Sequence, residues 1–359
     1  MSGRRRSDRA GRIGREGNSK DWRTFLVARY DDQIAPDWGL YFRLGYNRYR
    51  YLGSFPYLDD FSTPGSVSRI VTKESSVAEW WGGEIRLTNT FFDRHRLVIG
   101  AEWQNTFWLQ DKLYDIPGPV YLDASYSFSR YGFYLQDEIR LNDYLALLAE
   151  ARYDAGPFGD SANPRLGLIW HPRDATTVKL LYGTAFRSPS VFESETTAFH
   201  LGESSTDIDI LNTGLRPEEI ETIQLGLEHH LTPATRLTAA LYRYRMDGLL
   251  TQGFDPDTGD TYFTNFGQID GQGLEVEAET RFGSGVRGKL GYSFQRSEDE
   301  QGRRLPNSPE HMLKFHLSAP LWNECWRLGL ETLYAERARH AGGTRSTLMR
   351  WGTSRSAEI

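Results

Sequence analysis

Few side chains in this 359-residue sequence have the type and spacing to do chemistry. Asp255, Asp257 and Asp260, in DPDTGD, are oxygen ligands of the kind that form part of a calcium loop. The later bidentate glutamate is missing, and Asp-Thr-Gly is a common hairpin tip, so the hairpin is the preferred reading. His229 and His230 are adjacent; on a strand they point to opposite faces and cannot share a metal. His200 follows Phe199 in a long polar segment, where it is either solvated or able to touch a haem or metal ligand. A single cysteine, Cys325, excludes an internal disulfide and a cysteine metal cluster. G-x-S-x-G, H-E-x-x-H and P-loop motifs are absent. No enzyme, resident metal or cofactor is therefore expected. What remains is aromatic. Tyr57, Trp108, Tyr114, Tyr121 and Phe199, with His200, fall in long polar segments and are the candidate ligand contacts, suited to an aromatic or chelated ligand. The same rings would serve equally well as a membrane-interface girdle.

The elements that position these residues are strands. From Trp22 to about Ala335 the dominant period is two. In Leu97–Phe107 the odd positions are mostly apolar, and Glu102, Gln104 and Thr106 lie on the other face. Leu274–Phe282 sets Leu274, Val276 and Ala278 against Glu275, Glu277 and Glu279. Tyr131–Leu141 has one apolar face interrupted only by Asp137. Many runs are about 10–16 residues, longer than the usual strand of a soluble sandwich and long enough to cross a bilayer at a tilt. Aromatic residues often stand near the run ends, as Trp38, Trp103, Trp170 and Tyr242 do. About 14 strands fit the region 22–335 on this template.

Connections alternate in length. Asp93–His95, Asn142–Asp143, His171–Ala175 and Thr232–Ala234 are short. Leu52–Glu74, Gln110–Ala124, Arg187–Glu218 and Thr251–Asp260 are long. Short turns on one side and long loops on the other are the pattern of an outer-membrane barrel. Helical periodicity is weak throughout. Mean hydropathy is −0.56 and no apolar run approaches a transmembrane helix, which excludes helical spans but not a barrel.

Charge is unevenly spread. Residues 1–20 carry seven basic and two acidic residues, and residues 336–359 five arginines and two glutamates. With a total of −6, the middle 21–335 stands at −14, which argues against nucleic-acid binding. Residues 1–20 lack the apolar core of a secretion signal and read as a disordered basic leader. Residues 336–359 lose the period of two and read as a disordered tail.

Four segments, in order, resemble the barrel of TonB-dependent outer-membrane receptors. They are YGFYLQDEIRL (Tyr131–Leu141), NPRLGLIWHP with LLYGTAFRSPSVFE (within Asn163–Glu193), LRPEEIETIQLGLE (Leu215–Glu228) and NFGQIDGQGLEVE (Asn265–Glu277). LPNSPEH (Leu305–His311) is a weaker fifth. The resemblance implies an all-β, transmembrane antiparallel β-barrel of the type with about 22 strands, here incomplete at about 14 and without the family's plug domain. The family's plug, TonB-binding box and signal peptide are not recognisable, and Ile359 stands where a terminal aromatic is usual. A fragment is therefore expected, with doubtful transport competence alone. Residues 21–335 would be the partial barrel.

The resemblance further implies active uptake of a ferric siderophore or similar metal chelate, with outer-membrane lipid and the TonB energy-transducing complex as partners. A cobalamin receptor of the same family is the alternative, followed by a passive porin or adhesin barrel. A soluble carbohydrate-binding β-protein and a barrel enzyme fit less well. Glu228, Glu275 and Glu277 should face the lumen, there to bond to plug groups or simply to be solvated.

Overall fold

The computed structural model describes residues 17–59, 68–204, 206, 208–211, 213–257, 259, 261–321 and 326–336, and the backbone of three short strands beyond them. The first 16 residues of the leader, Asp260, Cys325 and Ile359 lie outside the described residues. Fourteen long strands follow in chain order: β1 (Asn18–Ala35), β2 (Trp38–Asp59), β3 (Ser68–Phe91), β4 (His95–Ile116), β5 (Val120–Asn142), β6 (Leu145–Ala155), β7 (Ser161–Arg173), β8 (Thr176–Arg187), β9 (Glu218–Thr232), β10 (Thr235–Phe254), β11 (Thr261–Arg281), β12 (Arg287–Asp299), β13 (His311–Leu321) and β14 (Trp326–Ala335). One helix, α1 (Val191–His200), stands between β8 and β9. The short β15 (Ala338–Arg339) and β16 (Arg345–Ser346) pair with each other, and β17 (Met349–Gly352) joins β14.

Every strand from β1 to β14 is hydrogen-bonded antiparallel to the next, in an uninterrupted meander. Among the described residues β1 pairs only with β2 and β17 only with β14, so the sheet does not close on itself. No helix among the described residues is long and apolar enough to cross a membrane.

The two faces differ as the alternation requires. Cross-strand register builds continuous apolar ladders on the outer face: Phe42 opposes Ile85, which opposes Ala101, then Phe133 and Tyr153. Leu180, Leu225, Leu241, Leu274 and Phe294 form another. These side chains are not in a core, since Phe133 is 55% and Leu241 57% exposed. Only six hydrophobic residues are buried among those described, so the apolar face needs hydrocarbon around it rather than a second layer of protein. Asp137, which breaks the apolar face of β5, meets His95 Nδ1 on β4 at 2.8 Å. It lies at the end of the short turns, where the ladder leaves the hydrocarbon.

The inner face is polar and glycine-rich. Tyr242 and Tyr244 lie along the wall over Gly273 and Gly271 of the neighbouring β11, their rings 6.4 Å apart and nearly parallel. A Cβ on Gly271 would stand 2.1 Å from Tyr244 Cζ, and one on Gly273 would stand 2.4 Å from the Tyr242 hydroxyl oxygen. Gly271 and Gly273 of the NFGQIDGQGLEVE segment are thus required by close approach of a ring.

Several sequence boundaries move. The connections read as the long loops Leu52–Glu74 and Gln110–Ala124 are largely strand, and β4 and β5 are joined only by Pro117–Pro119. The strands are accordingly longer than expected, up to 24 residues in β3. Beyond the membrane these hairpins keep pairing with each other, so their residues need not be apolar. Arg187–Glu218 contains a helix that weak overall helical periodicity did not suggest. β1 starts at Asn18, inside the span read as leader, because pairing with Ser54 extends the ladder. The span read as a disordered tail from 336 contributes three short strands, one of them held by the edge of β14.

Candidate functional site: a lidded mouth

The connection between β8 and β9 folds back over the inner face, and its local sequence explains how. Ser190 caps α1: its hydroxyl accepts from Glu193 N–H, and the Glu193 carboxylate accepts from Ser190 N–H at 2.7 Å. This is a reciprocal capping box. The underside of α1 buries Ser194, Glu195, Thr197 and Ala198. Ala198 joins a small core with Leu122 and Ala124 of β5, Phe158, Ile208 and Ile210. On the other side the Thr197 hydroxyl accepts from Phe263 N–H at 3.0 Å, on the stretch of β11 that runs beyond β12. The lid therefore touches β5 and β11, six strands apart, and the sheet curves round it. Gly248 and Gly267, facing positions of β10 and β11 that both take positive φ, bend this hairpin just below the Thr197 contact.

Three of the family-like segments converge where the lid is fastened. Arg187 donates to Glu218 through Nε at 2.6 Å and Nη2 at 2.9 Å, and to both Glu193 oxygens at 3.1 Å. Glu218 also accepts from Leu250 N–H at 2.6 Å. The Asn265 amide holds Arg216, accepting from its N–H and donating to its carbonyl, both at 2.8 Å. Hydrogen bonds from Arg187 hold the Glu218 carboxyl below the usual range. Burial alone would raise Glu193, but Arg187 and Ser190 outweigh it and its carboxyl is also depressed.

Beneath the lid the balance reverses. Burial pushes Glu195 up to about 8, the nearby charge of Asp111 adds to this, and the Tyr126 hydroxyl offsets part of it. Glu195 is 4% exposed, and among the described residues its Oε1 has no hydrogen-bond partner. Burial raises Asp111 as well, partly offset by Ser76.

Below the fastening lies an inner-face cavity of about 870 Å³, lined by residues of β1 to β6 together with Phe186, Arg187 and Ser188. Arg23, Arg43, Arg130, Arg152, Glu102 and Asp154 supply its charges, along with Arg187. Arg152 is satisfied, donating to Glu102 at 2.8 Å and to Asp154 at 2.6 Å.

The residues singled out in the sequence separate into groups. Tyr57 and Tyr121 both donate to Asp115 Oδ2, at 2.7 and 2.8 Å, and Thr72 donates to Oδ1 at 2.7 Å. They lie on strands, and their hydroxyls bind this 5%-exposed carboxylate at the tip of the β4–β5 hairpin. Trp108 and Tyr114 are strand residues of β4, and Trp108 is 44% exposed. Phe199 and His200 end α1, with His200 stacked on Tyr262 at 4.2 Å. The structure does not gather these six into one pocket. Glu228, Glu275 and Glu277 do line one inner-face cavity of about 350 Å³, with Lys179 and Lys314. Glu277 is ion-paired to Lys289 at 2.9 Å.

Asp255 closes the β10–β11 tip, accepting from Asp257 N–H on its side chain and from Gly259 N–H on its carbonyl, both at 2.8 Å. His229 and His230 diverge, to Thr176 and Glu228. Glu310, His311 and Glu336 place ligand atoms within 4.8 Å of one another, but Glu310 already holds Arg304 at 2.7 Å.

Sequence reasoning did not single out Arg187, Glu195 or the inner-face arginines. The Ser-x-x-Glu spacing at Ser190–Glu193 signalled the helix. The arginines were signalled only by sharing strand parity with Gly45, Gln104 and Gly132.

A one-layer antiparallel wall, apolar outside, polar inside and lidded at one end, defines part of a transmembrane β-barrel of the outer membrane. The family model described as TonB dependent receptor-like, beta-barrel matches residues 2–354, and the chain belongs to that family. It is an outer-membrane protein, in a family of receptors and transporters that bind siderophores and other chelates. A vitamin B12 transporter, BtuB, of Vibrio cholerae serotype O1 is 22% identical over 186 residues, 52% of this chain and 28% of that protein. Among solved structures, the siderophore receptor PiuA of Acinetobacter baumannii matches with a TM-score of 0.69 at 16% identity, over 94% of this chain and 58% of that one. The pyoverdine receptor FpvA of Pseudomonas aeruginosa matches at 0.69 and 14%, over 94% and 55%. The ferric citrate transporter FecA matches at 0.70 and 15%, over 93% and 54%. The chain thus spans about half the length of these structures and less of the curated relative.

Proposed function

We propose that this chain forms barrel wall and ligand-gathering mouth for uptake of a ferric siderophore or similar metal chelate, driven by the TonB complex acting on a plug. The observation that carries the reading is the lid. α1 is fastened by Arg187, Glu193, Glu218 and Asn265 over an inner-face cavity large enough for a chelate. Tyr57 and Tyr121 hold the mouth's shape through Asp115, while Trp108, Tyr114, Phe199 and His200 remain candidate contacts. Glu228, Glu275 and Glu277 are inner-face groups available to a plug. Cobalamin is the second reading, favoured by the sequence match to a vitamin B12 transporter.

The test is deletion of the gene in its host, followed by uptake of radiolabelled iron as ferric chelates and of radiolabelled cobalamin. Loss of iron uptake alone supports the first reading. Loss of cobalamin uptake alone supports the second. Loss of neither, with small solutes entering more slowly, would favour a passive barrel.

A further inference from the structure

The large mouth cavity has a charge opposite to that of the wall around it. Five arginines line it, Arg23, Arg43, Arg130, Arg152 and Arg187, against Glu102 and Asp154, a formal balance of +3. The region 21–335 as a whole carries −14. A basic basin inside an acidic barrel is not a by-product of composition.

Its internal pairing is incomplete. Arg152 takes both acids of the basin, and Arg187 is committed to the lid. Among the described residues, Arg43 reaches only Glu84, at 3.9 Å. Among the described residues, Arg23 and Arg130 have no ion-pair partner. Arg130 is nonetheless well placed. Its guanidinium lies 5.4 Å from the Phe128 ring centre, and Phe128 packs edge-on against Phe158 of the core under the lid. Guanidinium groups with free donors and few acids nearby are suited to carboxylates, which they grip through two parallel N–H donors.

We infer that this basin, bounded by Arg23, Arg43 and Arg130, binds an anionic metal chelate carrying several carboxylates. Such a ligand offers the oxygen pairs that these arginines lack, and about 870 Å³ accommodates it. A neutral corrinoid has no such complement. This inference rests on the uptake reading above and narrows its substrate class.

Trp80 and Trp103 line the same cavity and provide a fluorescence readout. The full chain is folded in detergent, its folding checked by heat-modifiable migration, and titrated with ferric citrate and with cyanocobalamin. Saturable quenching by ferric citrate is expected, weakened by salt. Arg130→Gln and Arg23→Gln should each weaken it roughly ten- to hundredfold, as loss of a charged hydrogen bond does. Arg130→Lys should keep part of the affinity, and Arg281→Gln, outside the cavity, should keep all of it. In parallel, the same variants in the chromosomal gene are scored for growth on ferric citrate as sole iron source, so the question is answered even where detergent folding fails. Ferric citrate binding or growth indifferent to Arg130→Gln and Arg23→Gln would overturn the basin and leave the uptake reading standing. Binding of cobalamin alone would overturn the basin in favour of the corrinoid reading. A folded chain that binds neither, in a strain whose growth on any chelate ignores the gene, would sink both.

Discussion

Arg187 and Glu218, thirty-one residues apart, are joined by two hydrogen bonds of 2.6 and 2.9 Å across the base of the lid. The pair closes the loop that carries α1, and Arg187 uses its remaining donors on Glu193 inside that loop. Entry and exit of the lid are thereby fixed to each other and to the first turn of its helix.

Removing this clasp should free the lid without dissolving the wall. Arg187→Ala leaves Glu193 and Glu218 without their cation, and Arg187 itself is 47% exposed, which limits the loss. A local destabilisation of about 1–2 kcal/mol is expected. Limited proteolysis should cut within 188–217 faster, while heat-modifiable migration is retained. Equal cleavage in variant and parent would show that the clasp does not hold the lid.

Lid docking should have a two-sided pH dependence. Glu193 and Glu218 have depressed pKa values, so their contribution is present above the ordinary carboxylate range and is lost as pH falls through it. Glu195 is raised to about 8. When the lid is undocked it ionises near 4.5, so docking weakens progressively as pH rises from there to about 8 and stays weak above. At pH 7 this penalty is roughly 3 kcal/mol. The protection factors of α1 amides, with the intrinsic pH dependence of exchange divided out, should therefore be highest in mildly acidic buffer. Glu195→Gln should flatten the alkaline limb and leave the acid limb in place. An unchanged alkaline limb in that variant would remove Glu195 as its cause.

Asp115 is expected to act as the rivet of the β4–β5 hairpin tip. Tyr57→Phe and Tyr121→Phe each remove one donor and should cost about 1 kcal/mol locally. Asp115→Ala removes the acceptor of all three hydroxyls, and should cost about 2–3 kcal/mol. Faster exchange of residues 110–123 is the measurement. Were Tyr57 and Tyr121 mainly ligand contacts, their Phe variants would lower affinity while exchange stayed as in the parent.

Gly271 tests the close packing of the inner wall. In Gly271→Ala the new methyl meets the Tyr244 ring, and about 1–3 kcal/mol should be lost. Tyr244→Ala in the same chain should recover part of it. The fraction of heat-modifiable folded species after refolding reads both effects; no recovery in the double variant would locate the clash elsewhere.

The sequence by itself determined the wall. Side chains of a strand alternate faces, so the ordering Leu274, Glu275, Val276, Glu277 states which residues meet lipid and which face inward without reference to any neighbour. Turn spacing then fixed the meander, and ordered motifs such as LRPEE and NFGQIDGQGLEVE pointed to the family. Tertiary structure decided the mouth. Arg187 and Glu218 meet because a loop folds back, and Tyr57 meets Asp115 across 58 residues. Glu195 differs from any other helix glutamate only in what α1 is pressed against. Hairpins that continue past the membrane lose the apolar signal but keep backbone pairing, which is why Trp108, Tyr114 and Tyr121 read as loop residues and stand on strands. Periodicity is a property of one strand and survives in sequence. Convergence depends on sheet curvature and loop docking, which sum over many strands and leave no local trace.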